Sequence, residues 1–342
     1  MGRVQRPVSL ACDGGQSGLR VIAFTADAEG RPLVEAQAAV DGFSWARGGD
    51  PVAQQADRVI AAWRAVGAPA AVNVLAIGLS AGGSFSADRV RLCGILGESL
   101  PVNEIRSTGD DVVTHLGALS GASGVALAAG TGTLCLAIGP AGERRNVDGL
   151  GYLFGDEGGG FWIGRAGIRA AVRAAEGRGP RTVLQDALRS VVGPLPSSVK
   201  HLYGSPTLVA DVAAFAAAVG GAADDGDDVA AWICRAAADG LVGDVSAALD
   251  FLAGDDGVLP RSVAQVSVGG GVLRAGGVVR AAFADLMARR HPDVALREPA
   301  GDASRGAVLL AGTTRFVHHD MAVTWRRGPG IVAKGSPDQV GG

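Results

Sequence analysis

Residues 8–24 read VSLACDGGQSGLRVIAF, two apolar runs on either side of a glycine-rich turn. Each apolar run is typical of a short buried strand, and residues 13–18 predict the turn that joins the two strands into a β-hairpin. The same plan returns at 124–139, GVALAAGTGTLCLAIG, with its turn at 130–133. Two similar hairpins predict a chain built from two similar halves.

Helical and strand patterns alternate around these hairpins. Residues 51–66 carry apolar side chains at helical spacing and are followed by an apolar strand at 72–77. Helices are also predicted at 87–96 and 110–119, and a strand at 263–268 ends on three glycines. The N-cap of the helix at 110–119 is predicted to be Ser107, Thr108 or Asp110. The pattern is that of an α/β protein.

The composition supports two domains. A chain of 342 residues, 48% of them hydrophobic, is longer than one core usually serves, so a cleft between two domains is the expected place for a ligand. The 54 glycines are about twice the usual share of ~7%. They stand beside apolar strands, which indicates tight turns and close approach of the backbone to a ligand.

Charge and cysteine usage exclude several classes of function. The formal net charge of −3 gives no basic field, so we expect neither a nucleic-acid nor a membrane partner. The four cysteines lie far apart without a CxxC pair, which argues against structural zinc, an iron–sulfur cluster and a disulfide framework. The first residues lack the pattern of a secretory signal, and a cytoplasmic protein is therefore expected.

Phosphate binding is expected to come from several glycine turns. A P-loop requires a lysine after its glycine loop, and the only lysines, Lys200 and Lys334, stand in no such context. Three glycine turns follow predicted strands, at 13–18, 130–133 and 269–271, and each offers clustered backbone N–H groups. For any one turn, the simple closing of a hairpin remains an alternative.

Carboxylates accompany these turns. Asp13 stands at the tip of the first hairpin, where an acidic group beside phosphate is explained by a magnesium ion between them. Asp110 and Asp111 open a helix before the second hairpin, and one of them could accept a proton from an attacking hydroxyl. Asp156 and Glu157 lie in the run GDEGGG among aromatic residues, a pattern suited to ligand hydroxyls, with a solvated turn as the alternative.

A serine hydrolase is a weaker interpretation of the sequence. Residues 78–82, GLSAG, satisfy G-x-S-x-G after a strand and before a helix, which places Ser80 like a nucleophile at an elbow. His291, His318 or His319 would have to complete its triad. A serine hydrolase leaves the turn at 130–133 and the run GDEGGG without a function, so it is kept only as a minor alternative.

The chain resembles the BadF/BadG-type ATPases and N-acetylglucosamine kinases of the actin, heat-shock chaperone and sugar kinase superfamily. The resemblance covers about residues 8–317. The family's DGGxT-like turn is matched at 13–17, its GTGS turn at 130–133, and its WGxxxGDEGS signature by LGYLFGDEGG at 150–159. Residues 305–310, RGAVLL, are similar to its closing GAxxLA helix. The family's sugar-contacting Asn has no counterpart in GFSW at 42–45.

The resemblance implies a two-domain actin-like ATPase fold of ribonuclease H-like type, with an interdomain cleft. It assigns the catalytic aspartate to Asp111 and, through water, Mg²⁺ to Asp13. Sugar binding is implied for Asp156, Glu157, Gly151, Ser80 and Trp45. ATP and its phosphates are implied to bind Asp13, Gly14, Gly15, Gln16, Ser17, Gly130, Thr131, Gly132, Thr133, Gly269, Gly270 and Gly271.

The implied activity is ATP-dependent phosphorylation of the 6-hydroxyl of an amino sugar, of N-acetylglucosamine or glucosamine type. A nucleotide-dependent sensor or activator of the same fold, without kinase activity, is the alternative. The domains are expected at 1–117 and 118–317, with the last helix able to pack back on the first domain. Residues 318–342 are expected to form a flexible tail. Related kinases are commonly dimers, so a homodimer is expected.

Overall fold

The computed structural model describes residues 7–15, 18–43, 49–80, 86–193, 197–205, 207–254, 259, 264–275 and 277–334. The strands are β1 Val8–Gly14, β2 Leu19–Ala26, β3 Pro32–Val40, β4 Val72–Leu79, β5 Val102–Gly109, β6 Gly124–Ala129, β7 Thr133–Ile138, β8 Arg144–Val147, β9 Gln265–Gly269, β10 Leu296–Arg297, β11 Val323–Arg326 and β12 Gly330–Lys334. The helices are α1 Pro51–Ala65, α2 Ser86–Ser99, α3 Asp110–Leu119, α4 Gly160–Ala175, α5 Leu184–Val192, α6 Ser197–Gly204, α7 Leu208–Ala214, α8 Ala216–Asp224, α9 Asp228–Ala253, α10 Gly271–Arg274, α11 Gly277–Arg290 and α12 Ala303–Ala311.

The chain divides into two compact units. Unit 1 takes the described residues of Met1–Ser123, Ile138–Arg144 and Pro299–Gly342, and unit 2 those of Gly124–Ala137 and Arg145–Glu298. Within the described ranges, no helix combines the length and the apolar character needed to cross a membrane.

Unit 1 is built on a seven-stranded sheet in the order β12-β11-β5-β4-β1-β2-β3. The central strands β1, β4 and β5 run parallel, while β2, β3, β11 and β12 pair antiparallel with their neighbours. The three parallel strands therefore end at the same edge of the sheet, and Asp13, Ser80 and Gly109 lie at or just beyond their carboxyl ends. That edge is where ligands bind in open α/β sheets.

Alternation along β1 explains why helices cover both faces of this sheet. Leu10 and Cys12 pack into the cluster that includes Leu92 of α2, whereas Ala11 between them packs into the cluster that includes Leu116 of α3. Successive side chains of a strand point to opposite faces of the sheet. The apolar run Leu10 to Cys12 therefore has side chains buried on both faces.

Unit 2 contains a five-stranded sheet in the order β10-β9-β6-β7-β8. β6, β9 and β10 run parallel, and β6 and β7 are neighbours joined by the turn at 130–133. The long helix α9 supplies much of the core, and its N-cap is Asp227, whose carboxylate accepts the N–H of Ala230. This arrangement satisfies one of the free N–H groups of the first turn.

Several predicted elements are confirmed and others differ. Both hairpins form, as do the strand and the helices predicted between them. The N-cap of α3 is Gly109 and not a side-chain cap, because Ser107 and Thr108 are buried strand residues of β5. The strands β3 and β5 were not predicted.

The C-terminal region also differs from the expected tail. Residues 317–321 form a 3₁₀ helix, and β11 pairs antiparallel with β5 at the edge of the unit 1 sheet. Val323 is buried and Trp325 packs against the same core cluster, which gives this segment an apolar face to bury. The structure also groups α12 with unit 1.

Candidate active site

The first glycine turn holds a fixed carboxylate. Asp13 ends the buried part of β1 and is only 4% exposed. Its Oδ2 lies 2.8 Å from Nη2 of Arg20 on β2, and its Oδ1 accepts a hydrogen bond from the hydroxyl of Ser304 at the start of α12. The second Arg20 nitrogen, Nη1, lies 3.0 Å from Oδ2 of Asp302. Residues from three elements thus position one acidic group.

Ser80 packs against the same turn. Its backbone N–H donates to the carbonyl oxygen of Gly14 over 3.0 Å, and a Cβ added to Gly15 would overlap its hydroxyl. Gly15 is therefore needed for the close approach of this turn to Ser80 at the end of β4. The predicted residues Gln16, Ser17 and Trp45 lie outside the described residues.

Two aspartates stand in the first turn of α3. A Cβ on Gly109 would overlap Oδ1 of Asp111, so glycine at the N-cap leaves room for that carboxylate. The Asp111 N–H donates to Oδ1 of Asp110 over 3.0 Å. Burial and, to a smaller extent, the nearby charge of Asp111 raise the pKa of Asp110 to about 7.

Two arginines that sequence reasoning missed face these aspartates. Arg89 of α2 interacts electrostatically with Asp111 and Asp110, and Arg144 interacts with Asp111 and is 5% exposed. Burial lowers the pKa of both guanidinium groups, and Asp111 opposes that lowering. Their ordinary value is high enough that both remain charged. Asp111 is therefore held in a positively charged surrounding.

The second glycine turn is held by backbone hydrogen bonds. The N–H groups of Gly160 and Phe161, at the start of α4, each donate over 2.8 Å to the carbonyl oxygens of Gly130 and Thr131. The Thr133 hydroxyl donates to the Glu157 carbonyl oxygen over 3.0 Å. The turn is thus fixed to a helix N-terminus, a place where backbone N–H groups favour anions.

Asp156 packs against this second turn. It has a positive φ of 59°, and its carboxylate accepts hydrogen bonds from the backbone of Thr133 and Gly151. A Cβ on Gly132 would overlap that carboxylate. Burial raises the pKa of Asp156 above its usual range.

Asp148, which the sequence reasoning missed, holds the neighbouring backbone. Its two carboxylate oxygens accept the N–H groups of Asp156 and Glu157, each over 2.7 Å. Asp148 also has a positive φ of 55°. Asp148 therefore holds the backbone of the run GDEGGG at two successive N–H groups.

The third glycine segment meets the second in one cavity. Gly269 ends β9, Gly270 has a φ of +94°, and Gly271 begins α10. A Cβ on Gly270 would overlap the backbone of Ala129, the residue before the second turn. A cavity of about 620 Å³ lies within unit 2, with walls of small side chains and glycines. Its lining includes Gly130, Thr131, Gly160, Gly271, Val272 and Asp224.

The contacts of the histidines count against a serine triad. Each of the three candidates has a partner other than Ser80. His318 Nε2 lies 2.9 Å from Nδ1 of His115, His319 Nε2 lies 3.2 Å from Nη1 of Arg106, and His291 Nε2 lies 2.7 Å from the hydroxyl of Ser246. The described part of the chain also holds no group of three or more histidine, cysteine or acidic residues that could bind a metal by themselves.

Comparison with known proteins finds relatives named as kinases of N-acetylated amino sugars. An N-acetylmuramic acid/N-acetylglucosamine kinase of Clostridium acetobutylicum is 26% identical over 231 residues, 67% of this chain and 72% of the relative. A solved structure named as an N-acetylglucosamine kinase, from Chromobacterium violaceum, is 25% identical with a TM-score of 0.67 and covers 89% of this chain and 98% of its own.

A more distant structure supports the fold alone. The ROK family glucokinase of Streptomyces griseus is 18% identical with a TM-score of 0.50, over 89% of this chain and 98% of its own. The predicted α/β fold with two actin-like domains is confirmed, and the kinase relatives agree with the predicted enzyme class, an ATP-dependent sugar kinase. Residues 13–311 match the BadF/BadG/BcrA/BcrD ATPase family. The chain therefore belongs to the BadF/BadG/BcrA/BcrD ATPase family, whose members use ATP.

Proposed function

We propose that the protein is an ATP-dependent kinase that phosphorylates the 6-hydroxyl of an amino sugar, of N-acetylglucosamine or glucosamine type. The observation that carries this proposal is the placement of Asp111 in the first turn of α3, with Arg89 and Arg144 around it. The relatives named as kinases of N-acetylglucosamine supply the substrate class.

The cavity of unit 2 suits the nucleoside part of ATP. Its volume of about 620 Å³ falls in the range of small-molecule sites, and its alanine and glycine walls leave room for a flat base. The backbone N–H groups of the turns at 13–15 and 130–133 are the proposed phosphate contacts. Gly269, Gly270 and Gly271 would then approach the adenosine.

Asp111 is the proposed general base. An ionised carboxylate can accept the proton of the sugar hydroxyl as that oxygen attacks the γ-phosphorus of ATP, and ADP leaves with the electron pair of the broken bond. Arg89 and Arg144 interact electrostatically with this carboxylate. Asp110, whose pKa burial raises to about 7, is the second candidate, since the family resemblance assigns the base to Asp111.

Asp13 is the residue proposed to hold Mg²⁺ through water. A carboxylate offers about four acceptor positions, and Arg20 and Ser304 use one each. Magnesium in phosphotransfer sites keeps several waters and needs only one or two protein carboxylates, so this donor set fits the ion. When bound, the ion neutralises charge that develops on the phosphates.

The sugar is proposed to contact Asp156, Glu157, Gly151, Ser80 and Trp45. Asp156 also accepts backbone hydrogen bonds of the second glycine turn, which would couple sugar recognition to the phosphate loop. The missing Asn in residues 42–45 leaves the acetamido group without the family's usual contact, so glucosamine and N-acetylglucosamine both belong in the test. A homodimer remains the proposed assembly.

The test is a panel of hexoses and amino sugars, read by ADP release and by the mass and position of the phosphorylated product. We expect turnover with an amino sugar and a phosphate on its 6-oxygen. A phosphate on another oxygen would correct the regiochemistry. ATP binding without a response to any sugar in the panel would contradict the kinase and favour a nucleotide-dependent sensor or activator.

A further inference from the structure

A second cavity of unit 2 lies outside the proposed nucleotide site. It has a volume of about 670 Å³ and is enclosed by one face of α4, the first turns of α9, and Gly179 with Pro180. We call it the α4–α9 groove. It shares no lining residue with the cavity at Gly130, although α4 contributes to both. Its size lies within the range of sites for small organic molecules.

Three arginines form one side of the groove. Arg165, Arg169 and Arg173 follow one another at intervals of four residues on α4, so each lies about 6 Å from the next along the helix axis. All three are exposed. Arg173 donates to the carbonyl oxygen of Arg178 over 2.9 Å.

The other two arginines of the groove, Arg165 and Arg169, are not engaged with acidic side chains of the described residues. Within the described residues neither Arg165 nor Arg169 forms an ion pair or a hydrogen bond, whereas Arg280, Arg289 and Arg290 each pair with an acidic side chain. The groove therefore carries guanidinium groups whose donors remain available to a ligand.

Aromatic and apolar side chains form the rest of the groove. Trp162 and Trp232 both line it, together with Ala166, Ala170 and Ile233. Trp232 is 64% exposed, which is unusual for the residue type that most often dominates binding sites. Asp228 is the acidic member of the lining. Three arginines against one aspartate leave the groove positively charged.

We propose that the α4–α9 groove binds an organic anion that carries a flat aromatic ring, such as an aromatic phosphate or carboxylate. The indole rings offer flat faces to such a ring, and guanidinium groups bind phosphate and carboxylate oxygens through paired N–H donors. A neutral ring would leave the arginines unused, and a small inorganic anion would leave the apolar wall exposed. The combination of charge and aromatic wall selects a ligand with both features.

The experiment titrates the full chain with 1-naphthyl phosphate, with the nucleotide site kept filled by a non-hydrolysable ATP analogue. Equilibrium dialysis gives the affinity, and tryptophan fluorescence reports the groove. Inorganic phosphate and 1-naphthol are the matched probes for charge alone and ring alone. We expect the naphthyl phosphate to bind at least about tenfold more tightly than either, because each part of the groove contributes.

Two variants remove the two features separately. Arg165→Gln with Arg169→Gln, and Trp232→Ala alone, are each expected to weaken binding of the naphthyl phosphate at least about tenfold. The control, Arg64→Gln with Arg289→Gln, makes the same change of net charge elsewhere and should leave the affinity unchanged. Circular dichroism verifies that every variant is folded.

Three results would overturn the proposal. The first is equal binding of naphthyl phosphate by the wild type and both groove variants, and the second is equal affinity for 1-naphthol, which would show an apolar surface only. The third is a wild-type homodimer that becomes a monomer in the Trp232→Ala variant, as measured by sedimentation. The groove would then be occupied by a second copy of the chain.

Discussion

The two units hold their candidate functional residues by different means. Unit 1 presents charged side chains: Asp13 is held by Arg20 and Ser304, and Asp111 lies with Arg89 and Arg144. Unit 2 presents backbone and small residues: its second turn is fixed by N–H groups of α4, and its cavity has walls of alanine and glycine.

This difference indicates how substitutions should act. Charged side chains can be replaced with little change of shape, so isosteric variants in unit 1 should change chemistry or ion pairing more than packing. Glycines that leave no space for a Cβ cannot be replaced without moving the backbone, so variants in unit 2 should first lower stability. The following expectations, from the largest effect to the smallest, test that contrast.

The largest effect is expected for Asp111→Asn. Loss of the proposed base should lower kcat by about 10²–10⁴-fold, because an amide cannot accept the proton. The KM for ATP and the melting temperature should change little. Steady-state kinetics with the preferred sugar and a thermal melt measure both, and a variant with near wild-type kcat would remove Asp111 from the proposed mechanism.

Gly270→Ala should have the next largest effect, and on stability. The residue has a φ of +94°, and the added Cβ would overlap the backbone of Ala129, so a loss of about 2–4 kcal/mol in the free energy of unfolding is expected. Gly271→Ala is the matched control, because a Cβ there meets nothing within 4 Å. Equal urea midpoints for the two variants would show that the contrast between the units is wrong.

A smaller loss is expected for Arg20→Ala. Among the contacts described above, this change leaves the buried Asp13 with the Ser304 hydroxyl as its side-chain partner. Because Arg20 is half-exposed, solvent screens its ion pair with Asp13. The free energy of unfolding should therefore fall by only about 1–2 kcal/mol. Arg31→Ala, which removes exposed ion pairs to Asp27 and Glu29, should cost about 0–0.5 kcal/mol. Chemical denaturation compares the two, and an equal loss for both would contradict a special role for the Asp13 contact.

The last expectation concerns the pH dependence of stability, which Asp110→Asn should change. The raised pKa of Asp110 means that the folded protein retains a proton which the unfolded chain releases near pH 4. The stabilisation that this retained proton gives to the folded state is fully present below about pH 4 and is lost as the pH rises through about 7.

In the Asp110→Asn variant, the free energy of unfolding should therefore decline less between pH 4 and 8 than in the wild type. Urea midpoints measured from pH 4 to 8 for wild type, Asp110→Asn and the exposed control Asp88→Asn test this expectation. An identical slope for all three would show that Asp110 is ionised throughout.

The sequence predicts the hairpins and the glycine turns because their signals are local. Apolar alternation and glycine clusters within a few residues are enough to place β1, β2, β6 and β7. By contrast, β3 and β5 carry polar residues such as Glu35 and Glu104 among their apolar ones, and no turn signal marks them clearly. They form because neighbouring strands offer hydrogen bonds, which is a tertiary effect.

The site was predictable only in part for the same reason. Asp13, Asp111 and Asp156 stand in recognisable motifs, but Arg89 and Arg144 stand in none. Their importance follows from folding, which brings residues 22 and 33 positions away in sequence toward Asp111. Asp148 is similar: its role depends on two N–H groups of a loop that begins several residues later.

The order of the units along the chain has a consequence for biosynthesis. Unit 2 is one nearly continuous stretch that ends at Glu298, whereas unit 1 needs α12 and β11 from after that point. A ribosome therefore releases all of unit 2 before it has delivered Ser304 to Asp13 or the edge strand to β5. Domains generally fold as units during synthesis. Unit 1, whose synthesis begins first, is consequently completed last. Its strand β5 lacks the partner strand β11 until residues 323–326 have emerged.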